Sequence, residues 1–254
     1  MQEVLYSRQT IIPNIGEEGQ KKISDARVLV VGCGGLGAPV LYYLTAMGIG
    51  QIGLCDNDTV SMSNLNRQVL FTTADIGAPK AEAADKRIKA LNPNLKTTVY
   101  QQTMDNELIQ SIISGYDIIV DCLDNFETRF VLNDACINEN KPFVHAGVEE
   151  YYGQLMTVIP GKSPCLRCLF PNGISNKSKQ RIIGVIGPLP GILGSLQALE
   201  VVKYLLDMQT TSDGFITFDG VSGTMEKVKL KLNSKCFCQK LHKSNRGIVS
   251  LLLI

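Results

Sequence analysis

Apolar and polar positions over the first two-thirds of the chain alternate between two textures. Short runs rich in Val, Ile and Leu occur at Arg27 to Val31, Gln51 to Cys55, Thr97 to Gln101, Asp117 to Asp121 and Pro142 to His145. Runs this short and this apolar predict strands buried on both faces. Between them, apolar residues recur at helical spacing over Leu36 to Met47, Ala78 to Leu91, Asn106 to Ile113 and Glu127 to Asn140. Alternation of this kind predicts a parallel sheet with right-handed crossovers.

Beyond residue 150 the texture changes. Gln154 to Ile159, Phe215 to Phe218 and Glu226 to Leu232 have strand character, the last alternating almost residue by residue, while Ile192 to Leu206 keeps helical spacing. The expected fold is therefore α/β: a Rossmann-like mixed sheet, parallel in its N-terminal half and extended by antiparallel C-terminal strands. One domain spanning 1–254 is expected, with a change of character near residue 150. Pro171 to Gln180 is polar and turn-rich, the best candidate for a mobile loop. The apolar tail Ile248 to Ile254 is expected to pack on the core as a last strand or helix. No repeat or low-complexity tract interrupts this pattern.

Charge changes the picture only by exclusion. With 25 basic and 24 acidic residues the formal net charge is +1, which offers no chain-wide attraction to nucleic acid or membrane. The first residues lack the basic and apolar regions of a leader, and no apolar run approaches the roughly 18 to 20 residues that span a bilayer. A cytoplasmic protein is expected. Of the eight cysteines, Cys33, Cys55, Cys122 and Cys136 stand singly among apolar residues, where a buried inert thiol is the ordinary reading. Cys165 with Cys168, and Cys236 with Cys238, are paired, and in a reducing compartment such pairs suggest metal before disulfide.

The segment from Arg27 to Gly37 places glycines at 32, 34 and 37 between a strand and a helix. Gly32 permits the tight turn, Gly34 lets a phosphate approach the backbone, and Gly37 lets the helix pack on its strand. The helix N-terminus then offers free N–H groups and partial positive charge to phosphates. Asp56 ends the next strand, where an acid can accept from ribose hydroxyls. These features suit NAD and ATP equally. Arg67, Lys80 and Asp124 all follow strand ends, so they can meet over phosphates: two cations to neutralise charge and an acid to hold Mg²⁺. Taken singly, each is as well explained as a solvated surface charge, and spacing alone leaves both readings open.

Six segments together resemble the ThiF/MoeB/HesA family, relatives of ubiquitin-activating enzymes. They are Tyr6 to Gln9, Gly32 to Gly37, Asp56 to Gln68, Gly77 to Lys80, Asp121 to Asn125, and Gly187-Pro188 with Gly194 to Glu200, in family order over nearly the whole chain. The resemblance implies an enzyme that uses ATP to adenylate the C-terminal glycine carboxylate of a ubiquitin-like sulfur carrier of ThiS or MoaD type, ending in Gly-Gly. It implies that Asp56 binds ribose, that Asn64, Arg67 and Lys80 grip the phosphates, that Asp124 holds Mg²⁺, and that the Gly35 backbone faces the nucleotide. Ser63, Asn66, Gln68 and Asn125 fall in the same binding segments. Arg8 resembles an arginine that reaches from one subunit of a homodimer into the other's site. The region from about 1 to 150 would bind nucleotide and that from about 151 to 254 the carrier.

A carboxylate is ionised at neutral pH, so attack on the α-phosphate needs alignment and charge neutralisation rather than a strong base. This suits a chain with two histidines, of which His145 is expected to be structural or to support a ligand-touching residue from behind, and His242, in a basic tail, suggests nothing. Two departures from the family pattern stand out. The resemblance makes Cys165-x-x-Cys168 half of a structural zinc site, yet the second pair, Cys236-x-Cys238, is one residue shorter than the usual C-x-x-C. The polar loop, where many relatives carry a reactive cysteine, has none, and Gln180 lies near that position. The chemistry is therefore expected to stop at the acyl-adenylate, with a separate sulfur donor such as a cysteine desulfurase completing a thiamine or molybdopterin pathway step. Rival readings are an NAD(P)-dependent oxidoreductase, the inactive half of a heterodimeric activating enzyme, and a peptide-adenylating relative.

Overall fold

A computed structural model describes residues 2–171, 173 and 184–239. Three helices open the chain: α1 (Gln2–Leu5), α2 (Ser7–Thr10) and α3 (Gly16–Asp25). The alternating part follows as β1 (Arg27–Val31), α4 (Gly37–Ala46), β2 (Gln51–Cys55), α5 (Lys80–Leu91), β3 (Lys96–Tyr100), α6 (Asn106–Ile112), β4 (Ile118–Asp121), α7 (Phe126–Asn138) and β5 (Phe143–Glu149). The chain then adds β6 (Tyr152–Val158), a short α8 (Leu166–Leu169), the long α9 (Pro188–Leu205), β7 (Gly214–Asp219) and β8 (Thr224–Lys229). One eight-stranded sheet has the order β3-β2-β1-β4-β5-β6-β7-β8. Its first five strands are parallel and the rest antiparallel, as the pattern predicts.

Period-two alternation explains the layering. In β1, Val28 and Val30 enter the core under α4 and α9, whereas Leu29 and Val31 enter the core under α6 and α7. Helices α4 and α9 touch closely because Gly194 has no side chain: a Cβ there would lie 2.3 Å from the Leu36 carbonyl oxygen. A buried carboxylate also pins α9 to β6. Glu200 accepts from the Thr157 hydroxyl at 2.5 Å and the Thr211 backbone N–H at 2.7 Å, and pairs with Lys203.

Several expectations need correction. The N-terminal helices have no counterpart in the pattern analysis. Helix α9 begins at Pro188 rather than Ile192, since proline is at ease in a first helical turn. The strand expected at Glu226 to Leu232 is present but shifted: β8 runs over Thr224–Lys229 and is exposed throughout. It is the last strand of the sheet, and among the described residues no layer covers it. Most of Pro171 to Gln180, Gln180 itself, His242 and the tail Ile248 to Ile254 lie outside the described residues. Among the described residues, no helix is long and apolar enough to cross a membrane.

Candidate nucleotide site and cysteine cluster

Parallel strands β1, β2, β4 and β5 all deliver their carboxyl ends to one cleft of about 1180 Å³. Strand order reverses between β1 and β4, which opens the crevice where such sheets take ligands. A second cleft, of about 580 Å³, lies where β1, β2 and β3 begin, beside Arg27, Gln51 and Lys96, and is the wrong end of the sheet for this role.

The glycine turn is built as its sequence requires. Gly32 has φ +97°, and a Cβ on it would meet the Cys122 carbonyl oxygen at 2.6 Å. Gly32, Gly34 and Gly35 line the cleft. Gly37 does not; it sits behind the turn, against the Gly32 carbonyl, and serves helix–strand packing. Asp56 locks this turn to β2. Its carboxylate accepts from the Cys33 N–H at 2.7 Å and the Asp58 N–H at 2.9 Å. Burial nevertheless raises its pKa, outweighing those bonds and the nearby Lys80 charge.

Lys80, first residue of α5, is buried and directs its ammonium to Asp58 at 2.8 Å. Arg67 and Gln68 reach the cleft from the loop after β2, and Asp124 and Asn125 from the turn after β4. Asn125 has a second duty: its side chain accepts from the Thr128 N–H at 2.9 Å and so caps α7. Gln68 stands over Gly34, and among the described residues its buried carbonyl oxygen has no hydrogen-bond partner, a group fit to meet a ligand.

Other expected residues do not reach the wall of the cleft. Asn64 accepts from the Ser61 N–H at 3.1 Å and Ser63 bonds the Ser61 hydroxyl, so they shape the loop. The Ser63 carbonyl and the Asn66 side chain both accept from Arg67, at 2.9 and 3.0 Å, and aim it. Arg8 is exposed on α2, whose neighbourhood belongs to the other end of the sheet. Tyr6 packs beneath Gly48, and Gln9 bonds Gln20 and the Met47 carbonyl. Strand β1 alone sets those ends about 17 Å apart. Arg8 is not among the residues that line the cleft of its own chain.

Among the cleft residues that pattern reasoning missed are Asp58, Arg129 and Gln154. Asp58 lies two residues beyond Asp56 and was within reach of the sequence. Arg129 looks like a helix surface charge, yet it is 5% exposed and its guanidinium bonds the Leu123 and Ala146 carbonyls while lying 3.8 Å from Asp121. Asp121 also bonds His145 at 2.7 Å. Burial opposes ionisation of Asp121, but the Arg129 charge and the His145 bond win and lower its pKa; burial, with Arg129, lowers that of His145. With its pKa lowered from the ordinary value, the imidazole is neutral at pH 7.

The single thiols match the inert reading. Cys33, Cys55, Cys122 and Cys136 are all buried, and burial pushes Cys33, Cys122 and Cys136 well up and Cys55 to about 12. The paired thiols converge. Sγ atoms of Cys165, Cys168, Cys236 and Cys238 lie within 4.8 Å of one another, with Cys165–Cys236 at 3.6 Å and Cys168–Cys238 at 3.5 Å. A tetrahedron with Zn–S bonds of about 2.3 Å has edges of about 3.8 Å, so the short Cys-x-Cys spacing fits the same cation as Cys-x-x-Cys. Helix α7 braces the knuckle: Asn133 accepts from the Leu166 N–H at 2.9 Å, and Asp134 takes Arg167 through two bonds of 2.7 and 2.6 Å.

This geometry has relatives. The chain is 39% identical over 232 residues to the sulfur carrier protein ThiS adenylyltransferase of Escherichia coli K12, covering 91% of this chain and 92% of that one. It is 41% identical over 234 residues to the SAMP-activating enzyme E1 of Haloferax volcanii, covering 91% and 86%. Among solved structures, Escherichia coli MccB with ATP matches with a TM-score of 0.78 at 25% identity, over 87% of this chain and 68% of that one. The ThiF family model matches residues 6–239, the whole of the site and both cysteine pairs. The chain belongs to the ThiF family.

Proposed function

We propose that this chain is an ATP-dependent adenylyltransferase that activates the C-terminal glycine carboxylate of a ubiquitin-like sulfur carrier. One observation carries the reading: Arg67, Lys80 and Asp124 meet in the cleft that the glycine turn and Asp56 open. Asp56 accepts from the ribose, the α4 N-terminus and the two cations receive the phosphates, and Asp124 holds Mg²⁺, which when bound neutralises phosphate charge. The carrier's carboxylate attacks the α-phosphorus, and the bond to pyrophosphate breaks. Alignment and preorganised charge supply the rate. A nicotinamide cofactor would leave the triphosphate cations without employment, and an inactive half would have no need of them.

The part from about 151 onward takes the carrier, since β6, β7 and β8 carry the cleft away from the nucleotide end through Tyr152, Gln154, Thr217 and Glu226. Zinc occupies the four-cysteine site and holds this part together. Sulfur arrives from a separate donor. A cytoplasmic setting, where thiols stay reduced, suits the eight free cysteines. Pyrophosphate exchange measured against purified Gly-Gly carriers of ThiS and MoaD type, with a short peptide as control, should respond to a carrier. Exchange with the peptide alone would replace the carrier by a peptide substrate, and no exchange at all would end the reading.

The place of Arg8 leads to a homodimer in which each site borrows the partner's arginine. Arg8→Ala and Lys80→Ala proteins should each be nearly inactive alone. Mixed and reassorted, half the dimers are hybrids, and each hybrid restores one of its two sites, so activity should return to about a quarter of wild type. Hybrids confirmed by mass spectrometry yet inactive would place Arg8 outside the reaction.

A further inference from the structure

Buried Asp121 and His145 and half-buried Gln154 form a line that the adenylation chemistry leaves unused. His145 is 1% exposed, and its Nδ1 lies 2.7 Å from the Asp121 carboxylate, which can only accept. Nδ1 therefore carries the proton, and Nε2 is left as an acceptor. The group 3.4 Å from Nε2 is the Gln154 side-chain nitrogen, which donates one of its two hydrogens there. This fixes which way the amide faces: nitrogen toward His145, with its second N–H unbonded among the described residues.

That second N–H has somewhere to point. Strand register sets Gln154 directly opposite Gly147, and both line the cleft. A Cβ on Gly147 would lie 3.0 Å from the Gln154 side-chain nitrogen and 3.1 Å from Nη1 of Arg129. The other guanidinium nitrogen, Nη2, is already committed to the Leu123 and Ala146 carbonyls, which holds the group in place. Two fixed donors, one of them cationic, thus flank the bare Cα of Gly147, between the Asp124 turn and the antiparallel strands. Such a pair matches a carboxylate, with one oxygen available to each donor.

We propose that Gln154 and Arg129 are the groups that bind the carrier's terminal carboxylate over Gly147, and that Asp121 and His145 are positioning residues that fix the Gln154 amide as a donor. This rests on the adenylation reading and adds how the substrate's chain end is recognised. A glycine tail suits the site for the same reason Gly147 does: a side chain on either would crowd the two donors.

Gln154→Glu keeps the shape and replaces a donor by a charge that repels a carboxylate. Binding is read by calorimetry in the presence of non-hydrolysable Mg·ATP. The probe is the carrier with which wild type exchanges pyrophosphate, prepared with a free C-terminal carboxylate and as its C-terminal amide. Wild type should prefer the carboxylate by about ten-fold or more, because the amide presents N–H groups to donors. Gln154→Glu should abolish or invert that preference while Mg·ATP affinity stays within about two-fold. Gly147→Ala should weaken carrier binding through crowding, and His145→Phe should reduce the preference without removing Gln154. An unchanged carboxylate preference in Gln154→Glu overturns the proposal. Absence of exchange with every Gly-Gly carrier in wild type instead overturns the adenylation reading beneath it.

Discussion

Replacing Asp124 with alanine should lower carrier-dependent pyrophosphate exchange by about a thousand-fold or more, the scale set by losing a preorganised charge at a phosphoryl centre. The fold should not notice. Asp124 is exposed in the turn after β4, and among the described residues it makes no hydrogen bond or ion pair. A solvated turn side chain of that kind changes stability by about half a kilocalorie per mole or less. Asn125 provides the contrast on the same turn. Its side chain caps α7, so Asn125→Ala should cost about 1 kcal/mol of stability as well as disturb the site. Asp124→Asn tests charge against shape: it keeps an oxygen ligand but removes the charge, and should be nearly as inactive as the alanine variant. Exchange above a tenth of wild type in Asp124→Ala, with the protein folded, would remove Asp124 from the chemistry.

The parts of this site visible in the sequence are those written by local rules. A strand, a turn needing positive φ and a helix N-terminus are contiguous, so Gly32 to Gly37 could be placed from periodicity and glycine spacing. The five parallel strands were legible because burial on both faces leaves an unbroken apolar run. What escaped depends on contacts between distant segments. Arg129 owes its role to carbonyls on the β4 turn and β5, and Gln154 owes its role to a strand pairing that brings Gly147 opposite. The loop from Ser61 to Gln68 shows how tertiary contacts sort residues that a motif groups together. A family resemblance brings its residues to the nucleotide as a block, whereas the folded loop divides them: Arg67 and Gln68 line the cleft, and Ser63, Asn64 and Asn66 tie the loop to itself or aim Arg67. Strand β8 was legible from its alternation, but its ends were not: it starts two residues before Glu226 and stops three before Leu232, and it is exposed along its length.

Stripping metal from the four-cysteine cluster should produce the second large effect, this time on stability. The cluster joins segments about 70 residues apart, Cys165 to Cys236 across 71 positions and Cys168 to Cys238 across 70. A clip closing a loop of that length removes about 4 kcal/mol of chain entropy from the unfolded state, by analogy with a disulfide. For a domain of this size that corresponds to about 10 °C in Tm. The stretch after β8 packs in the α6–α7 core, where Cys165, Cys236 and Cys238 are themselves buried members. Purified protein should therefore carry about one zinc per chain. Cys168→Ser, Cys238→Ser or chelation should each lower Tm by a similar amount, and the double variant should add little, because one missing ligand already opens the site. Loss should also reach the nucleotide. Phe170, just past the knuckle, packs edge-on against Phe126 at 5.5 Å, and the Arg129 guanidinium lies over that same ring at 5.3 Å. A loosened knuckle releases one side of the first turn of α7, next to Asp124, so Mg·ATP affinity should fall several-fold along with Tm. Folded protein that is free of metal by elemental analysis and melts at the same temperature after chelation would show four thiols packed as ordinary core.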